Sequence, residues 1–350
     1  MSHWSTPWLE ALLGDAELEA LFSEEAELAA LLRFESALAQ AESIHGLVPE
    51  AAAARIVEVC TSFKADSTEL SKAMAIDGVV VPELVRQLRA AVGADAAPFL
   101  HLGATSQDVI DTGLVLRLCT VFRVFENRLQ HIVEALDALL VRFGTNTLMA
   151  RTRMQSARPV RVADRLAIWR DPLVVLREEF REQRPRLLRV QLGGPVGTRD
   201  GLEQGDSVAN TLAEILGLYP ATPCWHTTRH SIVNFADTLS HLTGAFGKLG
   251  QDIALMAQTG IETVSLKGTG SSSAMEHKRN PVKAEVLVSL ARYNAVQVSA
   301  MHQALLHEQE RSGAAWTLEW LVLPAMVQVT GSSSLLTREL LDSIEWIGEQ

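Results

Sequence analysis

Residues 271–281 read SSSAMEHKRNP, a dense polar run in a chain rich in Leu and Ala. A serine hydroxyl is too weak an acid to serve as a base unaided. It needs a cation or a helix N-terminus beside it to lower its pKa. Lys278 supplies the cation. Asn280 followed by Pro281 has the form of a helix start, with Asn280 as the cap and Pro281 in the first turn. The run reads either as a mobile loop carrying a reactive serine or as a plain polar connector, and alone it does not decide.

Two further stretches bear on an anionic ligand. In HLGATSQDVIDTGL, residues 101–114, Thr105 and Ser106 precede an apolar helical pattern and offer hydroxyl and backbone donors at a helix start. An ordinary N-cap turn has the same letters. In ARTRMQSARPV, residues 150–160, three arginines and Gln155 stand before a proline. Arginine grips carboxylates with two parallel bonds and keeps its charge when desolvated, although a solvated basic turn looks the same. Weaker candidates lie in CWHTTRH (224–230) and HEQERSGAAW (307–316), which place His226, Arg229, His230, His307 and Arg311 near helix ends. QLGGPVGT (191–198) has the glycines of a tight connection.

The elements that must position these residues are helical. Apolar residues recur every three or four positions through 120–143, from Phe122 to Phe143, and through 231–257, from Ile232 to Met256. A third long helix is expected over 281–307. Strand alternation is absent, so the fold class is all-α. Helices this long bury their stripes only against one another, as a bundle. Loops are expected around 45–49, 92–106, 144–159, 192–206, 217–228 and 265–280. The domains expected are an N-terminal helical domain at 1–98, a long-helix bundle at 99–335 and a short helical remnant at 336–350.

The chain has 350 residues, 47% of them hydrophobic, and a formal net charge of −11. That charge argues against nucleic acid as a partner, while a local cluster of cations can still oppose the global sign. No apolar run reaches membrane-spanning length, and the first residues lack a basic segment followed by an apolar one, so a cytoplasmic protein without membrane contact is expected. The three cysteines have no ligand spacing and read as reduced, mostly buried thiols. Ten histidines include no HExxH pair, and no glycine-rich nucleotide loop follows a strand-like run, so neither a metal nor another cofactor is expected.

Taken together, the three stretches resemble the fumarase/aspartase superfamily, whose signature reads G-S-S-x-M-P-x-K-x-N-P. Ser272, Ser273, Met275, Lys278, Asn280 and Pro281 fall in register with it. GATSQDVIDT (103–112) is similar to the first family region and ARTRMQSARP (150–159) to the second. RFESALAQAE (33–42), GVVVPELVRQL (78–88) and WHTTR (225–229) carry the likeness along nearly the whole chain, toward the bacterial carboxymuconate cycloisomerases. The resemblance implies an all-helical subunit whose long helices form the core of a homotetramer, with each active site built from different subunits. It implies a small di- or tricarboxylate substrate and chemistry through an aci-carboxylate. In the cycloisomerases one muconate carboxylate adds intramolecularly to give a lactone. By position, Ser272 is the residue that moves a proton at carbon. Lys278 and Asn280 stabilise the growing carboxylate charge. Thr105, Ser106 and Gln155 bind substrate, with Ser273 and Met275 beside them in the signature and Arg229 and Arg311 as further anchors. The alternatives implied are a β-elimination lyase of the adenylosuccinate or argininosuccinate type and a non-catalytic crystallin-like homologue.

Three departures qualify the resemblance. Arg153 stands after Thr152 where most of the superfamily has histidine, which argues against adenylosuccinate lyase. Its expected role is to pair with an extra acid group, carboxylate or sulfonate, on a substituted muconate. Glu276 replaces the signature proline, and its side chain is expected to point outward. Relatives carry a larger C-terminal domain than the residues after 335 supply.

Overall fold

The computed structural model describes residues 7–275 and 277–349. Two short helices, α1 (Glu10–Leu13) and α2 (Ala16–Ala20), lead into α3 (Glu24–Ile44), α4 (Glu50–Ser62), α5 (Ser67–Asp77) and α6 (Val81–Val92). The long helix α7 (Ser106–Phe143) follows, then a hairpin of β1 (Thr147–Thr152) and β2 (Gln155–Arg161). Next come α8 (Val162–Leu187), α9 (Gly205–Leu216), α10 (His230–Met256), β3 (Val264–Leu266), α11 (Val282–Gln303), α12 (Ala314–Asp342) and β4 (Ile344–Ile347).

The expected stripes are the ones that pack. Phe122 and Phe125 on α7, Phe180 on α8 and Phe235 on α10 are fully buried and form one aromatic cluster. The Phe122 ring lies 4.7 Å from Phe180 and 5.2 Å from Phe235. Contacts of this kind add to the area buried and lock three helices together. α10 approaches α11 closely because Gly250 lacks a side chain. A Cβ there would stand 2.6 Å from the Ala284 carbonyl oxygen.

Four expectations need correction. The chain is mostly helical rather than all-α, since it holds two antiparallel two-stranded sheets, β1–β2 and β3–β4. The loop expected at 144–159 is largely the first hairpin. Its residues from Arg151 to Pro159 are exposed on both faces, so no period-two pattern marks it. Residues 336–350 are not a separate helical remnant, because α12 runs unbroken to Asp342 and the chain then enters β4. Finally, Pro281 rather than Asn280 is the N-cap of α11, and Asn280 belongs to the loop before it.

Candidate active site

The first motif is built around a buried carboxylate. Thr105 and Asp108 form a reciprocal capping box at the start of α7, in which the Thr105 N–H donates to Asp108 Oδ2 at 3.0 Å. Asp108 is fully buried and also accepts from the N–H groups of Gly193 (2.7 Å) and Gly194 (3.0 Å) and from His226 Nε2 (2.7 Å). The Thr105 N–H is therefore engaged within the chain. The Thr105 and Ser106 side chains remain half-buried at the helix start. Arg311 joins this cluster, donating from Nε to Gln107 Oε1 at 3.2 Å and from Nη2 to the Pro195 carbonyl at 3.1 Å, with its side chain still exposed.

Arg229 does not present itself to a ligand, which corrects its expected role as an anchor. It is 1% exposed and sits between two carboxylates. Nη1 and Nη2 bond Asp111 at 2.7 and 3.0 Å, and Nε and Nη2 bond Glu319 at 2.8 and 2.6 Å. Trp316 Nε1 and the side-chain amides of Gln107 and Gln191 also donate to Asp111, and the guanidinium lies 4.8 Å from the Trp225 ring centre. Burial opposes the Arg229 charge, and the two carboxylates overcome that and hold its pKa above the usual arginine value. His307, another sequence candidate, lies beside this network with Nε2 3.5 Å from Glu319 Oε1.

The second motif forms the tip of the β1–β2 hairpin. Thr152 pairs with Gln155, leaving Arg153 and Met154 as a two-residue loop. Both have positive φ, 48° and 67°. That is the backbone of a type I′ turn, which normally selects Asn-Gly. Non-glycine residues held in this region are strained, and such strain concentrates at functional positions. Arg153 and Gln155 are exposed and make no side-chain hydrogen bond or ion pair among the described residues.

The third motif is a pinned loop. Gly270 and Asn280 exchange two backbone hydrogen bonds, each 2.9 Å, which close its neck. Inside it, Ser272 Oγ accepts from the N–H groups of Ala274 (3.3 Å) and Met275 (3.2 Å). Two N–H dipoles aimed at one oxygen favour its deprotonated form, as an oxyanion hole does. Ser273, Met275 and Lys278 are exposed and Asn280 is half-buried, with its amide near the Ser271 carbonyl at 3.5 Å. Glu276, expected to point outward, lies outside the described residues.

The second and third motifs share a root. β4 pairs with β3, whose end leads into the loop, while the Ile347 carbonyl accepts from Asn146 Nδ2 (2.7 Å) and the Glu349 N–H donates to the Thr147 carbonyl (2.8 Å). No such link ties the first motif to the other two among the described residues. Among the described residues no side-chain hydrogen bond or ion pair joins Ser272, Lys278 or Asn280 to Thr105, Ser106 or Arg153. Two cavities of about 610 Å³ each contain no residue of 151–156 or 268–281. Reading the sequence missed Asp108, Asp111 and Glu319. The T-x-x-D spacing of the capping box was the one local clue, and it pointed only to Asp108.

Among the described residues no helix is long and apolar enough to cross a membrane. The lyase family model matches residues 15–297. The chain is 39% identical over 337 residues to the 3-carboxy-cis,cis-muconate cycloisomerase of Pseudomonas aeruginosa, covering 94% of this chain and 73% of that protein. The crystal structure of 3-carboxy-cis,cis-muconate lactonizing enzyme from Pseudomonas putida superposes with a TM-score of 0.91 at 34% identity, over 97% of this chain and 77% of that one. The β-carboxy-cis,cis-muconate cycloisomerase structure from Acinetobacter calcoaceticus gives a TM-score of 0.90 at 31% identity, over 97% and 78%. With its three motif regions in family order, a family model spanning most of its length and this likeness to muconate cycloisomerases, the chain belongs to the lyase family of the fumarase/aspartase superfamily.

Proposed function

We propose that this protein is an intramolecular lyase that converts 3-carboxy-cis,cis-muconate, or a muconate bearing sulfonate in that place, to a muconolactone in aromatic catabolism. The observation that carries the reading is Ser272 Oγ under the Ala274 and Met275 N–H groups, in a loop with Lys278 and Asn280 in the signature register. A muconate carboxylate oxygen adds to the ring-forming carbon, and the π pair moves to the neighbouring carbon and into its carboxylate. Lys278 and Asn280 stabilise that dianionic carboxylate, and Ser272 delivers the proton to carbon. In reverse, Ser272 as alkoxide removes it. Thr105, Ser106 and Arg311 hold one carboxylate, while Gln155 and Arg153 meet the substituent.

The absence of any side-chain bond between the first motif and the other two among the described residues, and the exposure of the hairpin tip and the loop, support a homotetramer with active sites completed between subunits. The reaction needs no cofactor, and a cytoplasmic location suits it. A turnover screen of muconates bearing hydrogen, carboxylate or sulfonate tests the reading through loss of the diene absorbance. Turnover of the acid-substituted muconates is the expected result. Release of fumarate from substituted succinates, with the muconates untouched, would assign an elimination lyase instead. Activity on neither class would favour the crystallin-like alternative.

A further inference from the structure

Cys224 and His226 lie on the connection between α9 and α10, one hydrogen-bonded step behind the first motif through Asp108 and Gln107, and neither is given a role above. Cys224 is half-buried, and its thiol donates to the Gly197 carbonyl at 3.0 Å. His226 is 2% exposed, and Asp108 fixes its Nε2 at 2.7 Å. That leaves Nδ1 buried with no hydrogen-bond partner. Buried polar atoms in this condition are uncommon and call for a reason. The glycines of the 193–197 turn locate the orphan nitrogen. A Cβ built at Gly197 would fall 2.9 Å from Cys224 Sγ and 3.4 Å from His226 Nδ1, and one built at Gly193 would fall 2.9 Å from Sγ and 2.8 Å from His226 Cε1. Thiol and free ring nitrogen therefore border the same narrow space.

We infer that Cys224, His226 and Asp108 form a thiol–imidazole–carboxylate relay, and that Cys224 is a site of covalent modification by small carbon electrophiles such as α-haloamides and activated alkenes. His226 Nδ1 takes the thiol proton while Asp108, as a positioning residue, stabilises the imidazolium. The sulfur lone pair then forms the C–S bond. With an α-haloamide the carbon–halogen bond breaks and halide leaves with its pair. With an activated alkene the π pair moves to the α-carbon, which takes the proton back from His226. Nothing is oxidised or reduced. The close backbone of Gly193 and Gly197 restricts the approach to small reagents arriving from the exposed side.

The electrostatics agree with the geometry. Burial raises the Cys224 thiol, and His226 outweighs it and holds the thiol below the ordinary value. Burial pushes His226 down, and Asp108 and Cys224 lift it to about 9. The Asp108 carboxylate acts on both groups, raising His226 and partly opposing the lowering of the thiol. The other thiols are pushed the opposite way, Cys60 to about 12 by burial and Glu35, and Cys119 upward by burial.

The test is alkylation of the folded full-length chain with limiting iodoacetamide from pH 5.5 to 9.5, followed at each cysteine by peptide mass spectrometry. Cys224 is expected to react about tenfold or more faster than Cys119 at pH 7, with its rate already rising below the ordinary thiol pKa of ~8.5. Cys60 is expected to stay unmodified. His226→Gln should slow Cys224 at pH 7 by about tenfold and move its profile upward. A Cys224 profile matching an ordinary thiol in the wild-type protein overturns the proposal, as does a folded His226→Gln variant with an unchanged Cys224 rate. Should that variant not fold, the wild-type profile decides.

Discussion

Arg229 and Arg153 both come from loops that look cationic in sequence, and the fold treats them in opposite ways. Arg229 is buried against Asp111 and Glu319, with its guanidinium engaged on both edges. Arg153 stands on a strained two-residue turn, exposed and unpaired among the described residues. One charge is used up in holding α7, α10 and α12 together. The other is held out at a cost in backbone strain, and so is available to something outside the fold. The same division separates Asp108, with four donors inside the fold, from Lys278, which is exposed. An ionisable residue in a motif is a candidate for ligand chemistry only once its internal partners have been counted.

The sharpest separation of the two regions is expected at Ser272. Ser272→Ala should lower kcat by about 10²–10⁴-fold with an unchanged melting curve, and full turnover would remove the serine from the chemistry. Arg229→Ala should do the reverse. Leaving Asp111 and Glu319 buried without their cation should cost about 3–5 kcal/mol in urea denaturation. A stable variant with a raised KM would return Arg229 to the substrate.

The buried region should also carry a pH signature. His226 is raised to about 9 in the fold, by Asp108 and Cys224 against burial, so the stability it contributes is complete below its ordinary value of 6.5 and is lost as pH rises through 9. Glu42, lifted to about 9 by burial and the Glu35 carboxylate, acts in the same direction. Unfolding free energy from denaturation should therefore fall as pH rises, through Glu42 from 4.5 and through both groups between 6.5 and 9, by several kcal/mol in total at ~1.4 kcal/mol per pH unit for each group, and His226→Gln should flatten part of the decline above 6.5. At the hairpin, Arg153→Ala should raise KM for an acid-substituted muconate by about tenfold and leave plain muconate nearly unchanged. Equal effects on both would break the contrast with Arg229. The smallest effect is expected from Met154→Gly, which should stabilise the fold by up to about 1 kcal/mol by relieving the left-handed backbone.

The long helices were legible because their buried faces repeat at helical spacing. The expected stripe at 120–143 caught only the later part of α7, since its first turns bury Gln107, Asp108 and Asp111, polar letters that break an apolar pattern. The hairpin was invisible for the opposite reason, having almost no buried face to alternate. The loop carrying Ser272 was legible through its signature letters, whereas its closed neck was not, because backbone pairing leaves no trace in residue type. Arg229 was misjudged because its partners Asp111 and Glu319 are 118 and 90 residues away, a juxtaposition that only the bundle creates.

The paired neck of Gly270 and Asn280 has a consequence for how such a protein can change. The closure of the loop is set at its base, independent of the nine residues within it. Lengthening a closed loop costs little, about 0.6 kcal/mol for each doubling. Substitutions and even insertions between Ser271 and Arg279 should therefore leave α10 and α11 undisturbed. Around Ser272 and Lys278 the scaffold offers a variable cassette in which a new substrate preference can arise without the helices having to be solved again.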